Sequence, residues 1–423
     1  MKDRVVMAET HSTASQDVRR RRVFYLPGYD PMLPRRYREL YRSEGRKQAK
    51  ISGYSIDLKG NTTSQTYSWT VTTEIDKART TSEVELLFWS DIVQESMQRS
   101  IVGTFLLLAH VVWIYVSSGA LWRLMRLRKG PVIAALYPVF MLSAQLLLAV
   151  FLALAGSWIL GHWAPLWLAL LGAGAILAAV MIGFRRLDGR LFAYYLLHDY
   201  AFSAQYKGAN PPRLEARIRD FADRIEAALK EDVDEVLVVG HSSGAHLAVS
   251  VLADLLARPW LATFSPRLSF LSLGHVVPMV SFLPRADALR RDLAALSAEP
   301  RLSWVDVTAP GDGCTFALVD PVTVSGVAPA GGHHQPLVIS AAFTNSLSDE
   351  TRAAMKWRYF RIHFQYLCAF DRPGDYDYFQ ITAGPLSLAR RYAGRAPSPS
   401  CLAIPLSPHR GIGPARRKEV ERT

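Results

Sequence analysis

The chain has 423 residues, half of them hydrophobic and only 20% charged, with a formal net charge of +12. Such a length accommodates two average domains or one domain with large additions, and the composition is apolar for a water-soluble protein. No zinc-finger spacing or RNP-type motif accompanies the positive charge, which argues against nucleic acid as a partner and points to an anionic membrane surface or basic tails. Cys314, Cys368 and Cys401 are widely spaced and odd in number; this is neither a disulfide framework nor a metal-ligand cluster, and it suits a reducing compartment.

The first 22 residues lack an apolar stretch of the kind a signal peptide carries, and the run Arg19–Arg22 reads as the end of a solvated basic arm. "VFYLPGYDP", from Val23, is a short β run broken by a Pro-Gly turn. "ISGYSIDL" and "TYSWTVTTEI", joined by the turn-forming "KGNTTSQ", read as a hairpin, and "EVELLFWSD" as a further strand. Three apolar runs follow: Ile101 to Leu121, Val132 to Leu160, and Leu166 to Phe184. Runs this long and uncharged are expected to meet a bilayer. Beyond them the pattern is α/β. "PPRLEARIRDFADRIEAALKE" is an amphipathic helix and "VDEVLVVG" a buried strand. "SGAHLAVSVLADLLA" is a helix, and "LSFLSLGH" and "LSWVDVTA" are strands flanking a helical "ADALRRDLAALSA". Strands alternating with helices imply a mostly parallel sheet. The tail from Ser387, basic and rich in Pro and Ser, reads as disordered.

Within this pattern "VVGHSSGAHLA" places Ser242 between Gly240 and Gly244, on a strand, a sharp turn and a helix. A nucleophile in such a turn sits in a strained backbone, so its neighbours two residues away can carry almost no side chain. The turn lifts the hydroxyl above the sheet edge and aims the next N–H, that of Ser243, at a developing oxyanion. "GHSSGAHLA" resembles the elbow of esterases, lipases and formamidases of the α/β-hydrolase superfamily. The resemblance extends over the chain outside the membrane block and tail, and is sharp at the elbow. It implies a Ser-acid-His triad in that chain order.

On that resemblance Asp312, in the loop "PGDGCT" after a strand, is the expected acid; Asp306 lies inside the strand and Asp320 is a second loop candidate. His363 is the expected base, because "HFQYL" is similar to the His-x-x-Tyr that follows the last strand in lipase-like members. His334, beside His333 in "GGHHQP", is the runner-up, and His409 falls in the tail. His275 reads as pocket-lining, and His241 and His246 as elbow packing and helix residues. The second oxyanion donor belongs to the loop after an early strand, where Gly28 and Tyr29 offer N–H groups; many members have His-Gly where this chain has Pro27-Gly28. No metal or organic cofactor is implied.

If the early strand and the elbow strand share a sheet, the chain between them crosses the membrane an even number of times. Positive-inside bias puts "RLMRLRK" and "RRLDGR" in the cytoplasm. Spans near 132–160 and 163–184 then form a hairpin with "GHWAP" outside, and Ile101 to Leu121 is an interfacial or re-entrant helix. The expected division is a basic arm (1–22), hydrolase parts 23–100 and 185–386, a membrane insertion 101–184, and a tail 387–423. The expected protein is an α/β hydrolase with an inserted membrane block, anchored in the inner membrane with its site facing the cytoplasm. It is expected to cleave a lipid or other apolar acyl ester, with membrane lipid and the apolar ester as its partners. An acyltransferase on the same triad and a non-catalytic membrane scaffold are the rivals.

Overall fold

A computed structural model describes residues 17–61, 66–259, 266–331 and 335–414. Among the described residues, eight strands form one mixed sheet: β1 (Arg20–Leu26), β2 (Ser55–Gly60), β3 (Ser68–Ile75), β4 (Ala78–Leu86), β5 (Glu235–His241), β6 (Arg267–Leu273), β7 (Leu302–Thr308) and β8 (Leu337–Ser340). Their order is β2-β3-β4-β1-β5-β6-β7-β8. The end carrying β2, β3 and β4 is antiparallel, while every neighbour pair from β4 to β8 is parallel. The sheet is thus mixed, with five of its seven neighbour pairs parallel as expected; β3 and β4 are joined by the two-residue turn Asp76–Lys77, whereas each parallel pair needs a crossover. β1 lies between β4 and β5, with Phe24 level with both Glu85 and Val238. The early strand and the elbow strand are neighbours across some two hundred residues of sequence.

The helices, in order, are α1 (Arg35–Ser52), α2 (Ser90–Ser96), α3 (Ile101–Ser117), α4 (Ala120–Leu127), α5 (Lys129–Gly161), α6 (Leu166–Arg186), α7 (Asp188–Leu191), α8 (Ala193–Ala204), α9 (Pro212–Leu229), α10 (Ser243–Leu256), α11 (Val277–Ser281) and α12 (Asp287–Ser297), followed by shorter helices. Alternation along each central strand feeds two cores, since successive side chains point to opposite faces. Phe24, Val236 and Val238 pack with α9, α10 and α12 on one face. Val23, Tyr25, Leu237 and Val239 pack with Tyr37, Tyr41 and the C-terminal aromatics Tyr366, Phe370 and Phe379 on the other.

α5 and α6 are both long and apolar enough to cross a membrane. Their outer surfaces expose Phe140, Leu147, Phe151, Leu154, Trp158 and Leu171, an apolar area that water would penalise and hydrocarbon would not. α2 and α3 are bent by 100° across a short break. One face of α3 is buried (Leu107, Leu108, Val111, Ile114) and the other exposes Val102, Leu106 and Trp113.

Two readings of the ends need correction. The basic run belongs in part to β1, and Arg21 is fully buried: its Nε donates to Glu235 at 2.6 Å and its other nitrogens to the carbonyls of Gly384 and Leu386. Glu235 in turn accepts from the Ser269 hydroxyl and the Leu388 N–H. The segment 387–414 is also ordered. A short helix spans Leu388–Arg391, the Ser398 N–H donates to the Val338 carbonyl, and Leu402 bridges to Val319. Composition suggested solvation; these backbone bonds and the buried Arg21–Glu235 pair hold the segment instead.

Candidate active site

Ser242 is the single residue between β5 and α10, with φ 57° and ψ −123°, a conformation costing a non-glycine residue about 1–3 kcal/mol. The sequence makes that turn possible through its glycines. A Cβ on Gly240 would lie 2.8 Å from the Ala245 Cα, and one on Gly244 would lie 2.3 Å from the Leu26 carbonyl oxygen. The elbow therefore presses directly on the loop that leaves β1. In that loop a Cβ on Gly28 would stand 3.0 Å from the Ser242 Cβ and 3.4 Å from its Oγ, so the backbone of Gly28 abuts the hydroxyl. The loop is pinned from outside, as the Trp89 Nε1–H donates to the Pro27 carbonyl and the Tyr195 hydroxyl to the Tyr29 carbonyl.

Asp312 follows the C-terminal end of β7, and His363 ends a short helix (Tyr359–His363) beyond β8. They meet: His363 Nδ1 lies 2.7 Å from Asp312 Oδ2, and both residues are buried. The acid is held on both oxygens. Its Oδ1 accepts the Cys314 N–H at 2.9 Å, and its Oδ2 accepts the Tyr366 hydroxyl at 3.2 Å. Tyr366, the tyrosine of "HFQYL", also accepts the Ala309 N–H, which ties the acid's loop to the base's segment. Burial alone would push the His363 imidazole down. The Asp312 carboxylate and its hydrogen bond, aided by Asp199, outweigh that and hold it above its ordinary value.

Ser242, Ser243 and His363 line one pocket together with Tyr29, Asp199 and His246. The remaining candidates separate from it. Asp306 is buried against the Ser272 hydroxyl and His275. Asp320 caps a short helix through the Val322 and Thr323 N–H groups. His275, expected to line the pocket, is fully buried behind it, with Nε2 facing the Val319 carbonyl. His241 packs 4.8 Å from the His363 ring and donates from Nε2 to the His363 carbonyl, so it buttresses the base. His333 and His334 lie outside the described residues. His246, read as facing the helix, instead lines the pocket; burial pushes its imidazole down to about 4.

Asp199 carried no signal in the sequence, sitting in the apolar "YYLLHDYAF" of α8. In the structure its carboxyl enters the pocket and accepts a long hydrogen bond, 3.4 Å, from the Ser243 hydroxyl. Burial pushes it up to about 7, against the pull of His363 and Ser243.

Asp312, Cys314 and His363 also lie close enough together to consider a cation. Two of these donors, His363 Nδ1 and Asp312 Oδ2, already meet each other at 2.7 Å, the contact a proton relay uses. No family model matches the chain, and neither a curated protein nor a solved structure matches it.

Proposed function

We propose that this protein is a membrane-anchored serine hydrolase of α/β-hydrolase type that cleaves an apolar ester. The observation that carries the reading is the buried Asp312–His363 pair, which opens on the pocket of a strained Ser242. Ser242 Oγ attacks the acyl carbonyl while His363 Nε2 takes its proton. Asp312, at Nδ1, fixes the tautomer that leaves Nε2 free to accept, and stabilises the imidazolium. The N–H of Ser243, with that of Gly28 or Tyr29, receives the oxyanion. Collapse expels the alcohol, which takes the proton from His363 and leaves an acyl-Ser242 ester. Water attacks that ester by the same relay and releases the acid.

The test uses the purified full-length protein in detergent with p-nitrophenyl butyrate. Ser242→Ala and His363→Ala should each lose at least about a thousandfold in kcat, and the double change no more, because the residues act as a unit. Unaltered turnover in His363→Ala would remove the base from the account. An acyltransferase would use the same triad, and an added alcohol acceptor would then divert product from acid to ester. A scaffold would show no turnover at all.

The orientation proposed is cytoplasmic, on the inner membrane. Arg123, Arg126 and Arg128 precede α5 and Lys129 opens it, and Arg185, Arg186 and Arg190 end the hairpin on the same side. With the native cysteines removed, a cysteine at His162 should react with an impermeant reagent in intact cells and one at Arg190 should not; the reverse pattern would invert the topology.

A further inference from the structure

Where the helical insertion packs on α8 and α11 lies a second cavity, walled by α3, α4, α5, α8 and Met279 of α11 and almost wholly apolar. It shares Tyr115, Tyr200 and Met279 with the pocket of Ser242, so these three side chains form a common partition. The Tyr115 hydroxyl donates to the Met279 carbonyl at 2.9 Å, which spends its polar atom and leaves ring faces toward the cavity. At the rim are Val116 and Leu136, which are 40% and 41% exposed. At helical spacing Val116 shares a face with exposed Trp113, and Leu136 with exposed Ile133 and Phe140. The cavity thus lies between the apolar outer surface of the insertion and the pocket of Ser242, and a chain reaching it from Ser242 passes Tyr115 and Met279.

We infer that this cavity holds the hydrocarbon chain of the acyl group attacked by Ser242, admitted sideways from the bilayer between α3 and α5. The inference rests on the serine-hydrolase reading and names its substrate class, an ester of a long unbranched fatty acid. A polar occupant would leave its groups without partners in such a lining. A methylene chain loses nothing there, and each buried methylene favours binding by about fourfold. The ester's head would remain in the polar part of the pocket, near Asp199, Ser243 and His246.

Three measurements on the full-length protein in mixed micelles decide the matter. For the wild type, kcat/KM for p-nitrophenyl esters should climb steeply with chain length from two carbons and level off once the cavity is full; a flat profile overturns the inference. Ala135→Trp, which puts an indole into the cavity from a half-buried position on α5, should lower the ratio of kcat/KM for the twelve-carbon ester to that for the four-carbon ester at least tenfold. An unchanged ratio overturns it. Palmitic acid carrying a mid-chain diazirine, photolysed with the Ser242→Ala protein, should mark cavity residues such as Val112 and Val139; marking confined to the outer face of α5 and α6 overturns it. This last readout needs no turnover. If no ester of any length is cleaved, the hydrolase reading fails by itself, and the crosslink still decides whether the cavity takes an acyl chain.

Discussion

Replacing Asp312 with Asn keeps the shape of the site and inverts one hydrogen bond. The Cys314 N–H, 2.9 Å from Oδ1, demands an acceptor, so the amide oxygen is held on that side. The amide NH2 then faces His363 Nδ1, which lies 2.7 Å from the present Oδ2. An NH2 there can only donate, so Nδ1 must be the unprotonated nitrogen and the proton moves to Nε2. That tautomer cannot accept the proton of Ser242. Loss of the correct tautomer costs about 10⁴ in kcat in a serine triad, or about 5.4 kcal/mol of transition-state stabilisation. The Tyr366 hydroxyl, which now donates to Oδ2 at 3.2 Å, can turn to accept from the NH2, so the fold should survive. The assay is steady-state hydrolysis of p-nitrophenyl butyrate, with far-UV circular dichroism as the control. A folded Asp312→Asn protein within tenfold of wild type would refute the tautomer argument and with it the role of Asp312.

Asp199 bears on pH dependence. Its anion helps to hold the His363 imidazolium above its ordinary value, and burial places its own titration at about 7. His363 must be neutral to take a proton, so kcat/KM falls as pH drops through its titration. Asp199→Asn removes an anion, lowers the His363 pKa, and should move the acid limb of the kcat/KM profile to lower pH; an unmoved limb, or one displaced to higher pH, contradicts the coupling. Arg21→Ala strands Glu235 without its cation at 0% exposure, and loss of one partner of a buried pair costs about 3–5 kcal/mol. Chemical denaturation should show that loss, and a joint Arg21→Met, Glu235→Leu change should recover only part of it, because the Leu388 N–H and the Gly384 and Leu386 carbonyls lose their partners. A single change costing less than about 1 kcal/mol would mean the pair does not tether the C-terminal segment.

The elbow was legible because its geometry excludes nearly every residue but glycine at two fixed positions. The contacts that a Cβ at Gly240 or Gly244 would make are the reason the spacing exists. Asp312 and His363 were singled out through the resemblance, the first by its loop after a strand and the second by "HFQYL", and the structure brings them into contact; the tyrosine of "HFQYL" supplied a further hold on the acid that spacing alone could not reveal. Asp199 was invisible because nothing local marks it. It reaches the pocket only because the insertion folds α8 against the elbow, a tertiary event with no periodicity of its own. The ends misled for the opposite reason. Arg21 lies in a basic run and Ser387 opens a Pro-rich, Ser-rich tail, so composition argued for solvent. The partners that bury them, Glu235 for Arg21 and Asp17 for Ser387, are distant in sequence.

The most direct test of the account is whether Ser242 is chemically activated. The full-length protein in detergent is treated with a fluorophosphonate, digested, and its peptides are weighed. The account predicts a single phosphonylated peptide containing Ser242, with labelling absent from Ser242→Ala and strongly slowed in His363→Ala. A folded wild-type protein that stays unlabelled, or a Ser242→Ala protein labelled as fast as the wild type, would contradict it.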